Sequence, residues 1–264
     1  MKKTLLILNS FLLFLLSGCV TIDLSFTQEA APADAIDYQS GAERLETFTY
    51  PELINSLSLT TMKANVTVYT TSYTSARVFG STQFGSGVLF HYDDPFYYLL
   101  TNQHVIDFED GHERRSFEIE DFQGNAYEGR LYQNSDVESL DLAILYFAKE
   151  QVDLHVVPLA LDNPETDSEV IAIGQPDFQK NALTFGIVED YEQISPEDMR
   201  ELAFESIVHD ATINPGSSGG MLINTNQELV GINFASSDSE DNGEYYAIPV
   251  ETIIDYLTPY RDAE

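Results

Sequence analysis

The residues best suited to chemistry lie in Asn214-Pro215-Gly216-Ser217-Ser218-Gly219-Gly220. Glycine adopts backbone conformations that strain other residues, so a serine set among glycines can stand on a tight turn. The oxyanion formed when the Ser218 hydroxyl attacks a carbonyl needs donors about 3 Å away, and the backbone of Gly216, Ser217 and Ser218 can supply them, the amides of Gly216 and Ser218 converging on one point. A serine hydroxyl is a poor nucleophile near neutral pH and needs a base that is itself held by a carboxylate. Both stand upstream. His104 follows the run Phe96 to Leu100, which predicts a strand delivering it to a loop at its end, and Asp141 precedes the apolar run Leu142 to Leu145 at the mouth of a buried strand. Asp136 is a second candidate, but it sits among Asn134, Ser135 and Glu138, the composition of a solvated loop, so Asp141 is chosen. Taken singly, these are a turn serine, a core histidine and a strand-start acid. In this order, each beside an expected strand, they point to acyl transfer, with Ser218 attacking, His104 taking its proton and Asp141 fixing the imidazole tautomer.

Between about residues 62 and 255 the chain resembles the trypsin-like serine proteases of the HtrA/Deg type. The resemblance rests on Gly85-Ser86-Gly87-Val88, Thr101 to Val105, Asp141 to Leu145, Ala172-Ile173-Gly174-Gln175-Pro176, Gly186-Ile187-Val188, His209 to Leu222, Leu229 to Ala235 and Tyr246 to Val250. It implies an all-β fold of two antiparallel barrels of the chymotrypsin type. Ser217 stands where the family usually has Asn, and His209 where it usually has Thr. The family's proteins normally continue into peptide-binding PDZ domains; with Glu264 as its last residue, this sequence is expected to be the protease domain alone.

The elements that must position these residues follow from the alternation of apolar and polar residues. Barrel one is expected over about 62–149, through Val66 to Tyr69, Ser116 to Ile119 and residues 126–132. Residues 149–165, with Pro158 and Pro164, read as the crossing, and barrel two as about 166–250 with a hairpin at Asn224 to Gln227. Val250, Ile253, Ile254 and Leu257 recur at helical spacing, predicting a short C-terminal helix, and Tyr50 to Leu59 carries a weaker helical signal. The protease domain is placed at 61–264.

The N-terminus reads as a targeting device. Lys2 and Lys3 precede the apolar stretch Leu5 to Leu16, and Leu16-Ser17-Gly18-Cys19 resembles a bacterial lipobox. Residues 1–18 are expected to be a lipoprotein signal and Cys19, the single cysteine, the lipidation site, so the body is exported and membrane-anchored, facing outside the cytoplasm. Residues 19–60, rich in acids, read as a tether. A formal net charge of −32 argues against nucleic acid and anionic lipid head groups as partners. No cofactor is expected, and no metal: acidic clusters at Glu109-Asp110 and Asp238 to Asp241 match no calcium loop, and His91, His112 and His155 lack metal-ligand spacing. The oligomeric state is not readable.

By resemblance, the pocket for the residue before the scissile bond is walled by Thr212, Ile213 and Asn214 and by Ile232, Asn233 and Phe234. A trypsin-type pocket places an acid where this chain has Thr212, and glutamyl endopeptidases place a histidine where it has Asn233. Val, Ala, Leu or Met is therefore expected before the cleaved bond, although Ser236 and Ser237 stand where HtrA proteases often have apolar residues. The reading favoured is an envelope endopeptidase acting on unfolded or extended polypeptides. A catalytically silent binding or sensing lipoprotein and a structural surface lipoprotein are the alternatives.

Overall fold

The chain is described by a computed structural model over residues 32, 35–41, 49–74, 80–108, 111–149, 153–175, 181–194, 202–237 and 243–261. The expected signal, Cys19 and both acidic clusters lie outside these residues. Barrel one comprises β1 (Asn65–Tyr73), β2 (Gly80–Asp93), β3 (Phe96–Thr101), β4 (Arg114–Glu120), β5 (Ala126–Leu131) and β6 (Ala143–Ala148), closed in the order β1-β2-β3-β6-β5-β4. Barrel two comprises β7 (Glu169–Gly174), β8 (Ala182–Glu192), β9 (Ser206–His209), β10 (Met221–Asn224), β11 (Leu229–Ser236) and β12 (Tyr245–Pro249), closed in the order β10-β11-β12-β9-β8-β7. Closure gives every strand two neighbours, but β11 pairs with β10 only as far as Ile232, so its stretch from Phe234 to Ser236 has no strand beside it on that side. The alternation of β4, where Phe117 and Ile119 are buried and Ser116 and Glu118 are exposed, sets which face turns inward. β3 and β6 are buried almost throughout, so they read as continuous apolar runs instead.

The crossing joins the barrels through main-chain bonds. Val157 donates to the Leu89 carbonyl of β2 at 2.9 Å, and Ala160 to the Leu229 carbonyl of β11 at 2.9 Å. Helix α3 (Val250–Leu257) buries Val250, Ile253, Tyr256 and Leu257. The Tyr256 hydroxyl donates to the Ser135 carbonyl at 2.5 Å, and the Tyr260 ring meets Tyr132 edge-on at 5.8 Å. The end of the chain thus fastens the barrel-one connection that carries Asp141.

The tether expected over residues 19–60 is corrected in its second half. Ile36 and Tyr38 are buried; the Ile36 amide donates to the Tyr260 carbonyl at 2.5 Å, and the Leu159 amide to Gln39 at 2.9 Å. Helix α1 (Tyr50–Leu59) is capped by Glu52, whose carboxylate accepts from the Thr49 amide at 2.9 Å, and buries Leu53 and Leu57. The apolar residues of this acidic stretch are scattered without a regular spacing, so no sustained period shows. The main-chain partners that hold residues 36 and 39 are Tyr260 and Leu159, far away in sequence. The packed domain therefore begins before residue 61. Among the described residues no helix is long and apolar enough to cross a membrane.

Candidate active site

β3 ends at Thr101, and Asn102 then opens the one-turn helix α2 (Gln103–Ile106), so His104 is carried by a helical turn and not by the expected loop. Two side chains hold that turn. Gln83 Nε2 lies 3.2, 3.0 and 3.3 Å from the carbonyls of His104, Val105 and Asp107, and Arg115 Nη1 donates to the Ile106 carbonyl at 2.6 Å.

Asp141 stands just before β6, at the end of the 3₁₀ turn Glu138–Leu140, with φ 48° and ψ 39°. This left-handed conformation is uncommon outside glycine but tolerated by Asp. The residue is fully buried. Its carboxylate accepts the His104 amide at 3.0 Å and lies 3.0 and 2.9 Å from His104 Nδ1. Its carbonyl accepts Gln103 N–H and Asn102 Nδ2, each at 3.1 Å. The imidazole is gripped through Nδ1, leaving Nε2 as the nitrogen able to take a proton. Asp136 makes no such approach: it pairs with Arg115 Nη2 at 2.6 Å.

Ser218 is half-buried, and its hydroxyl donates to the Phe234 carbonyl at 3.4 Å. Among the described residues it makes no hydrogen bond to His104. The loop around it is stitched to both barrels. Gly219 N–H donates to Asn233 and Asn233 N–H to Gly220, both at 2.9 Å, on the barrel-two side. On the other side, Ser86 N–H of β2 donates to the Ser218 carbonyl at 2.7 Å, and Ser86 Oγ donates to the Gly216 carbonyl at 2.7 Å while accepting Gln175 N–H at 2.9 Å. Gly216 has φ +98°, and a Cβ there would come 2.6 Å from the Gln175 carbonyl and 2.7 Å from the Phe84 ring. At Gly219, φ +83°, a Cβ would lie 2.1 Å from the Ser86 carbonyl. No side chain fits at either position. Among the described residues the amides of Gly216 and Ser218 donate to no protein acceptor, leaving both for a ligand oxygen. Ser217 departs from its expected place in the oxyanion hole: its amide closes the turn on the Asn214 carbonyl at 2.9 Å, because that turn is what aims the flanking amides.

Of the expected pocket residues, Thr212 and Asn214 are exposed, whereas Ile213 and Phe234 are buried, Phe234 meeting Phe204 edge-on at 5.9 Å. Ile232 is a correction. Its side chain is fully buried because core packing claims it, and its main chain is paired in the sheet between Met221 of β10 and Ile248 of β12. Asn233 is also fully buried and committed, accepting from His209 Nε2 at 3.1 Å and donating to the Met221 carbonyl at 3.1 Å. Burial pushes His209 down to about 4, against weaker opposing effects of Asn233, Asp210 and Ala211. Its Nδ1 is buried with no hydrogen-bond partner among the described residues. Sequence reasoning assigned no role to Gln83, Ser86 or Arg115. Only Ser86 carried a signal, through the glycines that flank it.

Residues 85–232 match the family model of the trypsin-like peptidase domain. That stretch is more than half of the chain, and the chain belongs to this family. Protease Do-like 5, chloroplastic, of Arabidopsis thaliana is 30% identical over 196 residues, covering 67% of this chain and 59% of that protein. Serine protease Do-like HtrA of Bacillus subtilis is 32% identical over 175 residues, covering 62% of this chain and 36% of that protein. The structure of the HtrA-type protease AlgW with a tripeptide matches at a TM-score of 0.59 and 24% identity, covering 77% of this chain and 61% of that one; it carries the fold alone. These matches agree with the HtrA/Deg resemblance read from the motifs. The chain thus spans between 36% and 59% of the length of these two curated relatives.

Proposed function

We propose that this chain is a serine endopeptidase that cuts unfolded or extended polypeptides through an acyl-enzyme, held at the cell envelope by a lipid on Cys19. The observation that carries the catalytic part is the grip of fully buried Asp141 on both the amide and Nδ1 of His104. A carboxylate so placed fixes the tautomer with Nε2 unprotonated and stabilises the imidazolium that forms later. The Ser218 hydroxyl turns from the Phe234 carbonyl to His104 Nε2, gives up its proton there and attacks the scissile carbonyl. The amides of Gly216 and Ser218 receive the oxyanion. Imidazolium then protonates the departing amine, and the acyl-enzyme is hydrolysed by a water that His104 activates. The acyl side of the substrate lies along β11 as an added strand.

The test is labelling of Ser218 by a fluorophosphonate together with digestion of an unfolded polypeptide, each beside Ser218→Ala. Labelling and cleavage that both vanish in the variant are expected. An unlabelled protein, or a variant that cuts as fast as the native chain, overturns the reading.

A further inference from the structure

An unassigned row of side chains runs away from the site across the outer face of barrel one. Strand register sets Phe84 opposite Tyr69, Tyr69 opposite Glu118, and Glu118 opposite Glu128, so β2, β1, β4 and β5 each give one side chain to the same face of the sheet. The row starts at the oxyanion glycine, since a Cβ on Gly216 would come 2.7 Å from the Phe84 ring. The Phe84 and Tyr69 rings lie 6.4 Å apart. Tyr69 and both glutamates line, with Thr71, Tyr73 and Ser116, a groove of about 570 Å³.

Glu118 and Glu128 are exposed and directly opposed in an antiparallel pair, an arrangement that destabilises a sheet. Arg130 Nε stands 3.6 Å from Glu128, while among the described residues no hydrogen bond or ion pair reaches Glu118. A ligand cation seated between the two carboxylates removes their repulsion.

The side of the substrate that meets this row follows from the loop's two neighbours. Asn233 of β11 bonds the Ser218 loop on one flank and Ser86 of β2 on the other. If the acyl side lies along β11, the leaving group passes over β2 toward Phe84. Strands are spaced about 4.8 Å apart, which sets Glu118 about 10 Å and Glu128 about 15 Å beyond Phe84, and an extended chain advances about 3.3 Å per residue.

Resting on the endopeptidase reading above, we propose that this groove binds the leaving-group side of the polypeptide substrate and selects Lys or Arg about three to five residues beyond the scissile bond. Tyr69 and Phe84 cover the intervening residues and the glutamates take the cation. The test uses peptides that differ only in carrying Lys, Gln or Glu at the fourth residue past the bond. Hydrolysis by the native chain and binding to Ser218→Ala, followed by fluorescence anisotropy, are measured in parallel. The Lys peptide should exceed the Glu peptide about tenfold in kcat/KM and in affinity, less so at high salt. In Glu118→Gln/Glu128→Gln the ratio should fall to within about twofold, with a thermal melt confirming that the variant is folded. Lys and Glu peptides within twofold of each other on the native residues would overturn the groove. If no peptide is hydrolysed, the endopeptidase reading fails by itself, and the binding ratio in Ser218→Ala still decides the groove.

Discussion

Ser86 of the first barrel holds the Gly216 carbonyl of the second, its hydroxyl donating at 2.7 Å. The same oxygen accepts the Gln175 amide at 2.9 Å, so one buried hydroxyl satisfies main-chain groups on two segments of barrel two. Ser86→Ala leaves both unpaired, at about 1–3 kcal/mol for each buried group. The peptide that follows the Gly216 carbonyl belongs to the oxyanion turn. We expect kcat to fall about 10–100-fold, with KM changed far less. Steady-state kinetics beside a thermal melt checks this: a native kcat in the variant would show that the turn holds itself.

Asp141 and Asp136 lie five residues apart and do different things. Asp141 grips His104, while Asp136 answers Arg115. In triads of the chymotrypsin type, Asp to Asn costs about 10⁴ in kcat with geometry preserved. A loss of that order is expected for Asp141→Asn, and a change within about tenfold for Asp136→Asn. Measuring kcat/KM for both on one peptide decides it, and near-normal Asp141→Asn activity would remove Asp141 from the triad.

His209 is held neutral by burial, its value pushed from 6.5 to about 4. The unfolded chain takes up this proton near pH 6.5, while the folded chain resists until about pH 4. Stability from the neutral ring is therefore complete above about pH 6.5 and is lost progressively as pH falls toward 4, by about 3 kcal/mol in all. His209→Gln should flatten that part of the acid profile relative to the native chain. Thermal melts from pH 7.5 to 4.5 test it; parallel slopes for the two proteins would contradict the assignment.

The residues expected to wall the pocket, Thr212, Ile213, Asn214, Ile232, Asn233 and Phe234, carry no charge. By the family resemblance Thr212 falls where a trypsin-type pocket has its acid, and Asn233 is spent on His209 and Met221. Val, Ala, Leu or Met should therefore precede the cleaved bond, with Arg, Lys and Glu disfavoured by tenfold or more. Digestion of a peptide library read by mass spectrometry checks this, and a charged residue dominating that position would refute it.

Cys19 is the chain's single cysteine and follows Leu16-Ser17-Gly18. Cys19→Ser should move the protein from the detergent-requiring membrane fraction to the soluble one. Persisting membrane association would end the lipid-anchor proposal. A version beginning near Thr60 lacks the packed Ile36, Tyr38, Leu53 and Leu57, so it should melt at lower temperature than one beginning near Pro32.

Much of the candidate site could be named before any fold, because the chemistry proposed for it demands particular residue types at particular backbone positions. Only glycine fits at 216 and 219, and the proposed nucleophile, base and carboxylate each follow or precede a run of strand-forming residues. Individual strands and the C-terminal helix were readable because burial of one face imprints a period on the sequence, whereas their closure into two barrels came from the family resemblance. What lies between distant segments left no such imprint. The apolar run after Asp141 already favoured it over Asp136, but the contact with the His104 ring and the pairing of Asp136 with Arg115 are visible only in the fold. The packing of Ile36 and Tyr38, the Ser86 seam and the His209–Asn233 pair depend on surfaces brought together across more than twenty residues of chain. The opposed pair Glu118 and Glu128 is a matter of register. Local composition carries the period of an element; which side chains meet across two elements is decided by how the closed barrels align their strands, and tertiary structure alone supplies that.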